Sequence, residues 1–220
     1  MTRKVFWEDP YLTTLPTHLT SVNGAKGTVA ETIFYALSGG QESDAGSIGG
    51  NAVQQAQKSE GHAILYTLAD APRLAVGDPV TVVIDWERRY KLMRLHFATE
   101  LVLECTCRHL LSIEKIGAHI AADKARIDFA WPENLSPALP TISSAVHALI
   151  ADDHPIISAF SDVDNERRYW EIAGFARVPC GGTHLRRTGE VGAITIKRKN
   201  VGGGKERIDI ALVNPSVPAP

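Results

Sequence analysis

The chain has 220 residues, 44% of them hydrophobic and 22% charged; this is enough apolar material for one large or two small cored domains and too much for a disordered chain. A formal net charge of −2 excludes a protein that coats nucleic acid indiscriminately, yet Lys and Arg gather in two clusters that could form local patches: Arg88, Arg89, Lys91 and Arg94, then Arg186, Arg187, Lys197, Arg198, Lys199, Lys205 and Arg207. Three cysteines make no disulfide framework, the first residues lack the apolar run of a signal peptide, and no apolar stretch reaches the ~18–20 residues of a membrane span, so the expectation is a cytoplasmic protein without membrane contact.

Residues 1–86 read as β structure. Asn23-Gly24 is a tight-turn signal between Leu19–Val22 and Gly27–Ala30. A glycine-rich stretch follows, from Gly39-Gly40-Gln41 to Gly49-Gly50. Strands are predicted at Ala63–Leu68 and Pro79–Asp85, and a small barrel is the natural way to pack them. Residues 87–111 carry no Gly or Pro, and Leu92, Leu95, Thr99, Val102 and Leu110 recur at helical spacing, which predicts the longest helix of the chain. Ile113–Phe129 reads as a hairpin with Gly117 near its turn. A second helix is expected over about 138–152, and last strands at Ala193–Lys197 and Arg207–Val213 around Gly202-Gly203-Gly204. The fold expected is α+β: a barrel-like domain over 1–86, an α+β domain over 87–214 with the long helix packed on an antiparallel sheet, and a flexible tail at 215–220.

Two segments carry chemistry. On the long helix, His96 and Glu100 stand four apart and so share one side. Further on, Cys180-Gly181-Gly182-Thr183-His184 places a thiol and an imidazole about two glycines that let the backbone fold tightly. Thiolate, imidazole and carboxylate together suit zinc. The bland alternatives stand beside this: a chance pair on a helix, an ordinary buried thiol, and a hydrogen-bonded loop histidine.

The same residues carry a resemblance. Cys180-Gly181-Gly182-Thr183-His184, continued by Thr188-Gly189-Glu190-Val191-Gly192, resembles the signature of alanyl-tRNA synthetase editing domains and of the free-standing AlaX trans-editing proteins. Arg94-x-His96-x-Ala98, Thr32-x-Phe34-Tyr35 with Gly39-Gly40-Gln41, Asp44, Gly46 and Ile48, and Ala125–Phe129 agree with further family segments. The resemblance runs from about residue 15 to 213. Threonyl-tRNA synthetase editing domains share a related histidine and cysteine pattern but lack the glycine-rich segment. The two-domain length resembles the medium-sized free-standing members.

The resemblance implies one Zn2+ per chain and hydrolysis of the ester of tRNA(Ala) mischarged with serine or glycine, serine foremost, with neither DNA nor membrane as partner. It implies metal ligands His96, Cys180 and His184, and substrate-facing roles for Thr32 and Gln41, which read equally well as turn and strand residues; the backbone amides around Gly181-Gly182 are expected to help hold an oxyanion. The basic clusters would meet acceptor-stem phosphates.

Glu100 stands where the family has a second histidine, and Phe97 where it has threonine. Three readings stay open for Glu100: a fourth ligand, a general base acting on water beside a three-ligand ion, or the mark of a lost metal site. A non-catalytic tRNA-binding module and a metal-dependent hydrolase of small esters or amides are the competing functions. Cys105, Cys107, Trp86, Trp131 and Trp170 are read as packing. Cys107 lies eleven residues past His96, roughly 16 Å along the helix and too far to share its ligand. His119 is read as a polar residue able to line a cleft, and Asp162, Asp164 and Glu166 as a solvated loop. The oligomeric state is not legible.

Overall fold

The computed structural model describes residues 1–71 and 73–220. The chain forms two compact units: Met1–Ser38, Glu42–Tyr90 and Val217–Pro220 make the first, Gly39–Gln41 and Lys91–Ser216 the second.

The first unit is a closed barrel with two short strands beside it. Its strands are β1 (Arg3–Lys4), β2 (Thr14–Asn23), β3 (Lys26–Val29), β4 (Glu31–Thr32), β5 (Gly46–Ile48), β6 (Asn51–Lys58), β7 (Ile64–Leu68) and β8 (Pro79–Ile84). The barrel runs β2-β3-β7-β6-β5-β8, while β1 pairs in parallel with β4. Strand alternation decides what faces inward: Ile64, Tyr66 and Leu68 of β7 and Val80, Val82 and Ile84 of β8 are all buried, with Phe6, Phe34 and Val29. The Asn23-Gly24 turn joins β2 to β3 as its sequence predicts. β6 carries no sequence signal, since Asn51–Lys58 is rich in amides and only Ala56 is buried; it is a strand because β5 and β7 supply its backbone partners.

The long helix α1 (Trp86–His109) leaves the barrel and enters the second unit. Asp85 caps it by accepting from the Arg88 amide at 3.1 Å. Leu92, Met93, Leu95, Phe97, Ala98, Leu101 and Val102 are fully buried. A helix apolar on most of its circumference is enclosed by protein, more so than the single stripe read from the sequence requires. Cys105 is buried and Cys107 half-buried.

The rest of the second unit is β9 (Glu114–Ile120), β10 (Ala125–Ala130), α2 (Leu139–Ala151), β11 (Ile157–Asp162), β12 (Arg167–Ile172), β13 (Ala176–Pro179), β14 (Ile194–Gly202) and β15 (Lys205–Leu212). They form a four-stranded antiparallel sheet, β14-β15-β10-β9, and a three-stranded one, β11-β12-β13. The fold is thus α+β with a barrel, as expected. Gly117 proves to lie inside β9, opposite Asp128, and the hairpin turns at 121–124 instead. No strand over 157–179 is read from the sequence: Ile157–Asp162 and Ala176–Pro179 lack a clear apolar alternation, although Asp162–Asn165 and Gly174 mark the turns between them. Among the described residues no helix is long and apolar enough to cross a membrane. In the tail, the Pro218 carbonyl accepts from the Trp86 indole at 2.7 Å and the Ser216 carbonyl from Arg94 at 3.1 Å.

The first basic cluster is not a surface patch. Arg89 is wholly buried and pairs with Asp44 through two hydrogen bonds of 2.9 and 2.5 Å, donating also to the carbonyls of Ile33 and Pro10. Arg88 reaches Glu42 at 2.7 Å, and buried Arg94 donates to the Val191 carbonyl at 2.9 Å. These guanidiniums are used in holding the chain together, which corrects the expectation that they meet phosphate.

Candidate metal centre

Helical geometry places His96 and Glu100 one turn apart on α1, with His96 Nε2 3.3 Å from Glu100 Oε1. The three-stranded sheet supplies the rest. Its last strand, β13, ends at Pro179, and the Cys180 amide donates to the Arg168 carbonyl of β12 at 2.9 Å, which fixes where the thiol emerges. Cys180 Sγ then lies 3.4 Å from His96 Nε2, 3.3 Å from His184 Nε2 and 3.7 Å from Glu100 Oε1. The ligand atoms of His96, Cys180 and His184 all fall within 4.8 Å of one another, and Glu100 reaches two of those three.

These distances fit a metal. Donors at 2.0–2.3 Å from a tetrahedral zinc lie about 3.3–3.8 Å apart along the edges. The donor chemistry fits as well: one thiolate, two imidazoles and one carboxylate oxygen. His184 Nδ1 is 2.8 Å from Ser158 Oγ on β11, so its ring is oriented with Nε2 left for an ion. Glu100 Oε2 accepts from the Trp170 indole of β12 at 3.2 Å, which leaves Oε1 facing the cluster. Each strand of the small sheet therefore serves the site: β11 through Ser158, β12 through Trp170, and the end of β13 through Cys180.

Burial works against charge on His96, Glu100 and His184 alike; neighbours overcome it at His96 and Glu100, and at His184 it prevails. The Cys180 sulfur and the Glu100 carboxylate push His96 up to about 10. His96 holds Glu100 down to about 2. Burial, reinforced by the His96 charge, pushes His184 well below its ordinary value. The pocket thus concentrates negative charge around two imidazoles, and in such a field a cation can take the place of the His96 proton.

The glycines act through close approach. A Cβ at Gly182 would fall 2.6 Å from His96 Nδ1 and closer still to its Cε1, so only glycine lets this backbone lie on the ring. A Cβ at Gly40 would meet the Ala118 carbonyl at 2.6 Å, and the Gly40 carbonyl accepts from the Ile120 amide at 2.8 Å. Gly40 thereby seats Gln41 against β9, within the second unit. Gln41 is buried; its Nε2 donates to Thr183 Oγ1 at 3.1 Å, while its Oε1 has no hydrogen-bond partner among the described residues. His96 Nδ1 is likewise without one. Both atoms border Gly182.

His96, Glu100, Cys180, Gly182, His184 and Gln41 are therefore brought together. Gly181 adjoins them in the chain. Thr32 lies in the first unit, fully buried, where its hydroxyl oxygen accepts from Tyr66 at 2.7 Å and from the Phe34 amide at 3.0 Å. His119 lies instead on the outward side of β9, among basic residues of the four-stranded sheet. Trp170 and Ser158 are the site residues that the sequence does not announce. Trp170 reads as a packing anchor, and it is one, fully buried with its ring 5.2 Å from Phe97; its N–H partner and that of Ser158 depend on strand register, which no spacing in the sequence reports. Phe97, against Trp170 and His184, supplies an apolar wall where the resemblance has threonine.

Comparison with known proteins agrees with this geometry. Residues 171–209 match the threonyl and alanyl tRNA synthetase second additional domain. The chain is 33% identical to the alanyl-tRNA editing protein AlaX-M of Pyrococcus horikoshii over 96% of its own length and 98% of the relative's. It is 27% identical to the AlaX-M of Methanosarcina acetivorans, over 97% and 100%. It is also 34% identical to the alanine–tRNA ligase of Ignicoccus hospitalis, over 89% of this chain but 24% of that enzyme. Near-complete coverage of a free-standing relative, together with a cluster of the signature residues that could hold a metal ion, places this chain in the AlaX-M family of alanyl-tRNA editing proteins.

Proposed function

We propose that this protein hydrolyses the ester joining a wrong amino acid to tRNA(Ala), serine foremost and glycine second, with one zinc ion held by His96, Glu100, Cys180 and His184. The observation that carries the reading is the cluster of His96, Cys180 and His184, their ligand atoms within 4.8 Å of one another, with Glu100 Oε1 3.3 Å from His96 and 3.7 Å from Cys180, in a chain of this family. When bound, zinc would supply a Lewis-acid charge for the ester carbonyl or its attacking water.

The chain's own groups do the rest. The carboxylate of Glu100 and the thiolate of Cys180 balance the two charges of the ion, where a histidine at 100 would leave one positive charge over. A neutral centre is the weaker Lewis acid. More of the developing oxyanion charge is then left to the amides of Gly181 and Gly182. Gln41 Oε1, buried and unpartnered, is a ready acceptor for a substrate hydroxyl or ammonium. Where it accepts the hydroxyl of serine, it favours serine over alanine, which carries none. Thr32, to which the resemblance gives a substrate-facing role, accepts two hydrogen bonds within the first unit.

A second reading of Glu100 is favoured by its place at the rim, near two of the three other donors. In that reading His96, Cys180 and His184 hold the ion, a fourth position stays open, and Glu100 takes the proton of an attacking water.

The test is hydrolysis of seryl-tRNA(Ala) by the wild type and by Cys180→Ala. The variant should lose at least about 100-fold in rate. An undiminished rate would rule out the metal mechanism.

A further inference from the structure

The four-stranded sheet of the second unit buries one face and leaves the other open. Ile127 and Phe129 of β10 and Ile208 and Ile210 of β15 point into the core. Their alternate neighbours point out, and on that outer face Lys197 and Lys199 of β14, Arg207 of β15, Arg126 of β10 and Lys124 just before it line a groove of about 340 Å3. Strand alternation thereby splits the basic run read in the sequence. Arg198 lies on the opposite face from its two lysine neighbours and is bound to buried Glu206 through two hydrogen bonds of 2.5 Å.

The charges on the outer face are not evenly answered. Asp128 takes both Arg207, at 2.5 Å, and Arg126, at 2.6 Å. Lys124, Lys197 and Lys199 have no ion-pair partner among the described residues, although Asp209 lines the same groove and stands opposite Lys197 in register. Lys199 also stands directly opposite Arg207 in register, a like-charge cross-strand pair that costs stability in the protein alone. An anionic partner would turn that cost into a gain. Lys197 and Lys199, alternate residues of one strand, have Cα atoms about 7 Å apart along it and side chains on the same face, a spacing suited to successive phosphates. Among the described residues no Phe, Tyr or Trp lines the groove. Stacking of splayed bases needs such rings; a basic groove without them suits the phosphates of a duplex.

We propose that this sheet face holds the phosphodiester backbone of double-stranded RNA, reading charge and shape and not sequence. The proposal rests on the RNA-substrate reading above, where the duplex is the stem of the substrate tRNA.

The test is binding of a tRNA(Ala) transcript to the full chain, followed by fluorescence anisotropy across a series of KCl concentrations. Wild-type affinity should fall steeply with salt. The Lys124→Gln, Lys197→Gln, Lys199→Gln triple variant should bind more weakly, with the slope of log K against log salt reduced by about 3, one unit for each lysine–phosphate pair removed. Thr195→Lys, which adds a charge to the same face, should raise the slope by about 1. Metal content should be that of the wild type in both. Wild-type slope in both variants, or a wild type that binds no RNA, overturns the proposal. The two readings fail separately. A wild type that shows the lysine-dependent slope but leaves seryl-tRNA(Ala) intact sinks the deacylase and keeps the RNA face. A triple variant that deacylates seryl-tRNA(Ala) with unchanged KM sinks the RNA face and keeps the deacylase.

Discussion

The most informative single contact is the one between Trp170 and Glu100. A carboxylate has two oxygens, and a ligand role through one requires that the other be satisfied. The indole N–H of a fully buried tryptophan does this at 3.2 Å and so fixes which oxygen meets the cluster. Trp170→Phe keeps an aromatic ring against Phe97 but removes the donor. Metal affinity, measured by competition with a chromophoric chelator, should fall about 10- to 100-fold while the circular dichroism spectrum stays that of the wild type. Unchanged affinity would show that Glu100 needs no such support. Ser158 plays the matching part for His184, so a donor set that looks like two short sequence motifs is in fact oriented by residues from two further strands.

Among the elements, α1 has two distinct duties along its length. Its first turns serve the barrel, where Arg89 is enclosed with Asp44 at 0% side-chain exposure for both. Two charges taken out of water are tolerable only because the pair is bidentate and two carbonyls take two of the three remaining guanidinium protons. Removing one partner strands the other. Asp44→Ala should therefore cost about 3–5 kcal/mol in urea unfolding. A loss below about 1 kcal/mol would mean that water reaches Arg89 in the variant. Two turns further on, the same helix carries His96 and Glu100. The helical repeat sets their spacing, but the burial of Leu95, Phe97, Leu101 and Val102 around them is what holds that face at the end of β13.

For the molecule as a whole, a metal bound only by the folded state is a source of stability as well as chemistry. Elemental analysis of protein purified without chelator should find about one zinc per chain, lost in Glu100→Ala and kept in Glu100→His if Glu100 is a ligand. Retention of zinc in Glu100→Ala would favour the general-base reading. Chelation should lower the melting temperature of the wild type, because an ion at 100 times its dissociation constant contributes about 2.7 kcal/mol to the folded state. A melting curve indifferent to chelator would separate the cluster from any tightly held ion. Net charge matters at this scale too. A chain of −2 that shows five cations on one sheet face carries its positive charge locally, which is where a salt-dependent partner would be felt.

Sequence by itself determined the α+β class, the barrel-forming strands β7 and β8, the Asn23-Gly24 hairpin, both helices to within a residue or two, and the identity of the cluster residues His96, Cys180 and His184. Each of these is written in local periodicity, in turn chemistry, or in a short motif whose members are near neighbours along the chain. Tertiary structure alone decided the rest. Strands β11, β12 and β13 lack a strong alternating signature and exist through their pairing, so nothing local places Trp170 and Ser158 at the site. Gly117 looks like a turn because glycine so often is one, but the register with β10 puts it inside a strand. The basic clusters look alike as strings of Lys and Arg. Folding consumes Arg89 and Arg94 in the interior, turns Arg198 to one face of a sheet and gathers Lys124, Lys197 and Lys199 on the other. Which charges meet water is fixed by partners distant in sequence, and that information appears only when the chain is folded.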